Sequence, residues 1–443
     1  MSIKKSVFEE FILESNDQKR TADITTGVIS FEYFEDIFSP TITAKLKVVN
    51  TGNSIEAENS SSGQKQSIYN GLPLRGGERL SLKISGNSEK NPGLDFSKKV
   101  EDYFYVSSIS DVISETQKES FTLHLVSREA ITNETSRVPK KYPTTSSIDS
   151  SVRMILTEYL KTTKIGTIDR TSNKYGFIGN LRKPFTILTW LASKSVPVSS
   201  GDGTAGFLFY HTCDGFQFRS IDALTEQSAK AIYTYSEATV TYDSENKKND
   251  NDFKILNYIV DRNQNLIEKL RTGTYASQRL IFNPLDFSFS NNVFKFSDYS
   301  KKTNNLGSEL KLPKISNSSN ITLGDIPTRI ISQVADIGTM DQNVSTNVNA
   351  DPGKYQSQSL MRYNVLFTQT VNIVVASNTN LRAGDIIECN FPKISESDAK
   401  EYDPETSGLY MIKELCHHFD VERSYTSMKL VRDTFGQKIS KEK

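Results

Sequence analysis

The chain has 443 residues, 36% hydrophobic and 24% charged, with 53 Lys+Arg against 53 Asp+Glu. That length exceeds one ordinary hydrophobic core and predicts two or three domains. The charge balance argues against a dedicated nucleic-acid binder, which needs a surplus of Lys and Arg for phosphate contacts.

The amino-terminal MSIKKSVFEEFIL lacks the unbroken apolar run of a secretory signal, and no stretch approaches the roughly 18 apolar residues of a membrane span. Cys213, Cys389 and Cys416 are too few and too scattered for a disulfide framework, so folding in a reducing cytoplasm is expected.

Period-two patterns dominate the first third. In TITAKLKVV (41–49) Ile42, Ala44, Leu46 and Val48 alternate with polar residues, as a half-buried strand requires. ERLSLKI (78–84) repeats the pattern with Leu80, Leu82 and Ile84, and FTLHLV (121–126) with Phe121, Leu123 and Leu125. The polar NSIEAENSSSGQKQS (53–67) reads as a loop, and the whole as an antiparallel barrel or sandwich.

At 147 the period changes. SIDSSVRMILTEYLK places Ile148, Val152, Ile155, Leu156, Tyr159 and Leu160 on one helical face, and KPFTILTWLASK predicts a second helix with Pro184 in its first turn. A hairpin is expected over GFLFYHTCDGFQFRSI, turning at Asp214-Gly215. The segment 252–270 fits strand or helix. Short strands return from 273, broken by the polar stretch 298–357, which reads as loops.

An internal repeat orders these elements. RGGERLSLKI (75–84) aligns without gaps to RAGDIIECNF (382–391), pairing Leu80 with Ile387, Leu82 with Cys389 and Ile84 with Phe391. FYVSSI (104–109) matches YMIKEL (410–415), and SFTLHLVSRE (120–129) matches SYTSMKLVRD (424–433), the last with its interior register off by one. Three matches in one order predict a duplicated β domain, one copy at each end. The expected fold is mainly β with an α+β insertion: a first barrel over 1–140, an inserted α+β domain over 145–260, and a second barrel over 261–440.

The chemically richest stretch is YMIKELCHHFD (410–420). On a strand of the second copy, Cys416 and His418 point one way while Leu415, His417 and Phe419 point the other. The two histidines therefore cannot share a metal. His211 and Cys213, also two apart, could complete a zinc site with Cys416 and His418, but no CxxC or HExxH supports one. Cys416 with His418 has the residue types of a thiol nucleophile and base and no more; a small buried thiol and a strand histidine is the plainer reading. No GxSxG or Walker-type loop occurs, GDGTAG (201–206) precedes a strand rather than a helix, and RVPKKYP (137–143) reads as a solvated linker. No catalytic, cofactor-binding or metal residue is assigned, and no cofactor is expected.

LRAGDIIECNFP (381–392), SGLYMIKELCHHFDVERSYTSMKLVRDTFG (407–436) and PFTILTWLASKSV…GFLFYHTCDGFQFRS (184–220) together resemble the baseplate hub proteins of contractile-tailed bacteriophages. They are also similar to the amino-terminal part of VgrG proteins of type VI secretion systems. The resemblance covers about a third of the chain directly, with the repeat extending it to the amino-terminal end. It implies a non-enzymatic structural protein with two tube-like β-barrels per chain. It further implies a homotrimer whose six barrels form a pseudo-sixfold ring, joining the tail tube to a trimeric spike around the channel for genome ejection. Tail tube and wedge proteins are the other implied partners, DNA passes without specific binding, and the place is the virion tail, assembled in the host cytoplasm. The chain ends soon after Arg432-Asp433, leaving no room for the OB-fold and β-helical spike of VgrG, so the spike is expected to be a separate partner. The alternatives are a cysteine-dependent peptidase or wall-degrading enzyme using Cys416 and His418, and a cellular carbohydrate-binding β protein.

Overall fold

The computed structural model describes residues 6–50, 55–56, 65–72, 74–87, 91–115, 118–198, 204–235, 253–261, 265–299, 303–310, 312–316, 320–336, 352–393 and 402–437. The first barrel is built from β1 (Val7–Glu14), β2 (Val28–Asp36), β3 (Thr43–Asn50), β4 (Arg79–Ser85), β5 (Phe104–Ser114) and β6 (Glu119–Ser127), in the order β1-β4-β5-β6-β3-β2. Every pairing along that path is antiparallel. The alternating apolar residues point inward as expected: Leu46, Val48, Leu80, Leu82, Phe121, Leu123 and Leu125 are all buried. A corner rather than a ladder joins β1 to β2. The Ile24 N–H donates to the Phe11 carbonyl (2.9 Å) and the Phe11 N–H to Thr25 Oγ1 (2.8 Å).

The second barrel comprises β7 (Ile232–Tyr235), β8 (Lys254–Asp261), β9 (Gln369–Ala376), β10 (Ile386–Asn390), β11 (Gly408–Asp420) and β12 (Ser424–Arg432). Its order, β7-β10-β11-β12-β9-β8, repeats that of the first, and here β8 pairs back onto β7 so that the barrel closes. The two copies differ at one strand. β1 runs antiparallel to β4, whereas β7 runs parallel to both β10 and β8. Two of these strands, β7 and β8, lie in the range that the sequence assigned to the inserted domain. Their pairing partners follow in β9 and β10, so local pattern alone had no means of placing them.

The inserted domain packs helices Ile148–Glu158 and Pro184–Ala192 on a hairpin of Phe207–Thr212 and Gly215–Ser220, around Ile155, Leu156, Leu188, Phe207 and Phe218. Thr212 pairs with Gly215, so Cys213-Asp214 is the two-residue turn and Gly215 (φ 106°) follows it. The RVPKKYP segment is anchored rather than solvated: Val138 is fully buried and Tyr142 stacks on Phe177 at 4.4 Å. Of the glycine-rich 201–206, residues 201–203 lie outside the described residues, as does most of 53–67.

Between β8 and β9 the chain makes a further excursion. It contains helix Leu266–Thr272, a sheet of Ala276–Phe282, Phe289–Lys295 and Arg329–Val334, and helix Pro352–Val365. The stretch 298–357 is therefore not only loop. Arg329–Val334 is a strand, and the last helix begins at Pro352 with polar residues facing in, Arg279 Nε donating to Ser357 Oγ at 2.8 Å.

Candidate functional site at the barrel seam

The repeat is preserved down to single hydrogen bonds. In the first barrel the Gly77 N–H donates to the Val106 carbonyl (2.7 Å) and the Val106 N–H to the Glu78 carbonyl (2.9 Å). In the second, Gly384 donates to Ile412 (2.8 Å) and Ile412 to Asp385 (2.8 Å). Both glycines have φ 92°, a left-handed conformation that a side chain would strain. The acid after each glycine folds back on its own turn: Glu78 Oε1 accepts the Arg75 N–H (2.7 Å) and Asp385 Oδ2 the Arg382 N–H (2.8 Å). Acid and glycine thus specify one tight entry into β4 and β10.

The third sequence match is shifted by one residue. Val106 faces Leu125 and Ile412 faces Leu430, so Leu125 corresponds to Leu430, Leu123 to Met428 and Ser127 to Arg432. Arg128 is therefore not the counterpart of Arg432. A bulge sits at the same place in both copies, leaving Ser107 of β5 unpaired with β6 and Lys413 of β11 unpaired with β12.

That bulge divides β11 into two halves with different neighbours. Residues 408–411 pair with β10 of their own barrel, and residues 414–420 pair with β2 of the first barrel, from Glu414↔Asp36 to Asp420↔Ser30. One sheet thereby runs through both barrels, and one contiguous apolar core, including Tyr33, Leu46, Leu415 and Leu430, lies behind it.

At the head of the seam lies a residue that the sequence reading missed. Glu35 is 1% exposed. Its Oε1 accepts from the Tyr33 hydroxyl (2.7 Å) and the Cys213 N–H (2.7 Å), and its Oε2 from the Ala383 N–H (2.9 Å). One carboxylate thus ties the first barrel to the inserted domain's hairpin and to the entry turn of the second barrel. Burial raises its pKa against the opposing pull of Arg382 and the backbone donors. Arg382 Nε lies 3.2 Å from Asp214 Oδ2, and its Nη1 donates to the Leu381 carbonyl (2.9 Å). The available signal was SFEYFEDIF (30–38), where period two puts Phe31, Tyr33, Glu35 and Ile37 on one face.

The Cys-His-His run sits on this same seam. Leu415, His417 and Phe419 point into the core while Cys416 and His418 are partly exposed, as strand geometry requires. His417 stacks on Tyr33 (6.0 Å) and its Nδ1 meets Thr426 Oγ1 (3.0 Å); burial and the nearby Arg382 push its pKa down to about 3. His418 lies between Glu32 (3.1 Å) and Asp420 (3.3 Å) and stacks on Tyr425. Burial and the acids Glu32 and Glu414 push the Cys416 thiol up to about 12, the reverse of what a nucleophilic thiolate needs.

His211 stacks on Phe216 at 4.0 Å and is held neutral by burial, its pKa about 3, and burial raises Cys213 to about 11. Cys213 approaches the seam from the core side through Glu35, whereas Cys416 and His418 lie on the opposite face of β11. The four residues do not converge. Arg432 and Asp433 act separately: Arg432 lies over the Tyr410 ring (4.6 Å) and donates to the Ser407 carbonyl (2.9 Å), while Asp433 accepts the Leu306 N–H (2.9 Å) and faces Arg362 (3.6 Å).

Among solved structures the chain resembles the tail protein from Neisseria meningitidis MC58, at TM-score 0.55 and 9% identity, over 97% of each chain. It also resembles the 43 kDa tail protein of prophage MuSo2 from Shewanella oneidensis, at TM-score 0.51 and 10% identity, over 96% of this chain and 98% of that one. A looser likeness, at TM-score 0.40 and 8% identity over 98% and 77%, is to an E. coli component of the type VI secretion system. No family model and no curated protein matches the sequence. The chain has the fold of phage tail proteins, as its resemblance to baseplate hubs implied.

Proposed function

We propose that the chain is the structural baseplate hub subunit of a contractile phage tail. It is a homotrimer whose six barrels form a pseudo-sixfold ring between the tail tube and a separate trimeric spike. The observation that carries this reading is the seam: two copies of one barrel, standing side by side in one chain and joined by a continuous strand. A chain that already holds two successive positions of a ring needs three copies to close six.

Each subunit then comprises a first barrel, an inserted α+β domain, and a second barrel that takes in β7 and β8. The hub works without catalysis or cofactor. It sits in the virion tail after assembly in the host cytoplasm, contacts tube and wedge proteins, and encloses the channel through which DNA leaves. Balanced charge suits that passage, since a continuous cationic stripe would grip the phosphates. The raised Cys416 thiol counts against the peptidase alternative. Mass photometry of the full chain, alone and with its trimeric spike protein, tests the reading. Three copies per spike are expected, and a strictly monomeric chain with the spike bound overturns it.

A further inference from the structure

Each half of the seam inside the chain has a counterpart in the other barrel. By the shared register, the free half of β5 after the Ser107 bulge occupies in the first barrel the place that residues 414–420 of β11 occupy in the second. Among the described residues, 108–114 pair only with β6, and the opposite edge is open. At the other end, β8 occupies the place of β2. Tyr33 faces Ala44 and Phe31 faces Leu46, as Val260 faces Val371 and Tyr258 faces Ile373. Both strands even bulge at the same point, at Ile29 and Leu256. β2 spends its outer edge on β11, whereas the outer edge of β8 beyond Tyr235↔Ile255 meets no strand among the described residues.

We infer that the open half of β5 pairs antiparallel with the open edge of β8 in a second copy of this chain, repeating between chains the seam that each chain already holds within itself. The inference rests on the trimeric reading above and specifies its interface. Transferring the register fixes the contact. A second bulge at Asp111-Val112, which β11 lacks, adds one residue to β5. Beyond it Ile113 faces Ser120 as His418 faces Tyr425, and Ile259 faces Asn372 as Glu32 faces Lys45, so the His418↔Glu32 pair becomes Ile113 against Ile259. Both isoleucines are turned to solvent in the single chain, 58% and 62% exposed, and Val112 beside Ile113 is 41% exposed. Bare strand edges bearing exposed β-branched residues invite pairing. Here one such edge stands on each barrel, and a head-to-tail contact between these unlike edges closes a ring if the rotation allows.

Facing residues of an antiparallel pair lie about 4.5–5.5 Å apart at Cα, within the span of a disulfide. The test is therefore the full chain carrying Ile113→Cys and Ile259→Cys, oxidised mildly with its trimeric spike protein present and run on a non-reducing gel beside each single variant as a control for the native cysteines. A covalent species of three chain masses, lost on reduction, is expected from the double variant, and a dimer from mixing the two single variants. Bands no different from the controls overturn the pairing. A trimer in mass photometry without the 113–259 bond sinks the pairing and leaves the hub reading standing; a monomer with the spike bound sinks both. As a second measurement, Ile259→Asp should abolish the trimer and Ile113→Lys added to it should restore it. Unchanged trimer in Ile259→Asp also overturns the proposal.

Discussion

Replacing Glu35 by alanine should open the seam from its head. Its carboxylate accepts three buried hydrogen bonds, from Tyr33, Cys213 and Ala383, and stands against Arg382. Each orphaned buried donor costs about 1–3 kcal/mol, while relief of a buried charge offsets part of that. Removing one partner of a buried ionic cluster costs about 3–5 kcal/mol in such settings, which is the expected loss here. Because a chain of several domains does not unfold as one unit, the readout should be local. Hydrogen exchange at the amides of Cys213 and Ala383 should rise about a hundredfold to a few thousandfold, at roughly tenfold per 1.4 kcal/mol. Glu35→Gln keeps the volume and one accepting oxygen, for the donors of one former carboxylate oxygen, while its amide N–H opposes those of the other, so it should lose less than alanine.

The same variant carries a pH signature. Burial places the folded-state pKa of Glu35 above its unfolded value, so the unfolded chain gives up the proton first as pH rises. Glu35 therefore subtracts stability as pH climbs from the ordinary glutamate range through its raised pKa, and Glu35→Gln removes that slope. If Glu35→Ala leaves the exchange of both amides within twofold of wild type, the carboxylate does not bind the three domains together and the reasoning fails.

His211 and His417, both held to about 3 by burial, should make stability fall as pH drops from about 6.5 toward 3, because the unfolded chain takes up protons first. Each contributes about 1.4 kcal/mol per pH unit, and denaturant titrations of His211→Leu should show one share gone. Gly384→Ala should cost more than Gly77→Ala: both need φ 92°, but the new Cβ meets the buried Tyr210 hydroxyl at 2.5 Å in one and the Asn16 side chain at 2.8 Å in the other. Strain alone is about 1–2 kcal/mol in each, so a larger melting shift for Gly77→Ala would contradict the packing. Cys416, raised to about 12, should resist alkylation at neutral pH in the native chain, and rapid labelling there would reopen the peptidase alternative.

The elements that could be read from sequence are those whose signal is local. Leu80, Leu82 and Ile84 alternate within seven residues, and the Arg-x-Gly-acid turn repeats because a left-handed glycine and a back-bonding acid are one device used twice. What stayed hidden depends on distant partners. β8 looked like helix or strand because its partner β9 lies beyond a long excursion, and the helix Pro352–Val365 buries polar groups such as Ser357 and Arg362 beside its apolar Met361 and Val365, which blurs the stripe. Glu35 escaped because a charge on the inward face of a strand breaks the pattern that identifies strands; its reason for being there is the meeting of three units, visible only once they are assembled. The off-by-one register of the third match has an equally plain cause: Arg128-Glu129 and Arg432-Asp433 are alike in residue type, whereas the facing residues across β5 and β11 equate Ser127 with Arg432.

The chemistry of the two seams differs in the direction that their connectivity requires. Within the chain, β2 and β11 are held near each other by covalent linkage and by Glu35, so the pairing proceeds at high effective concentration. Polar neighbours such as His418, Glu32 and Asp420 are tolerable there, because little driving force is asked of them. Between chains the same geometry must first offset several kcal/mol of lost translational and rotational freedom, on the order of 4–15 kcal/mol. Backbone hydrogen bonds contribute little net energy against water, so that offset has to come from apolar area. In the proposed seam, the replacement of His418 and Glu32 by Ile113 and Ile259 at the equivalent positions contributes part of that offset, at most about 1.5–3 kcal/mol per isoleucine, at the place where association, rather than folding, has to be driven.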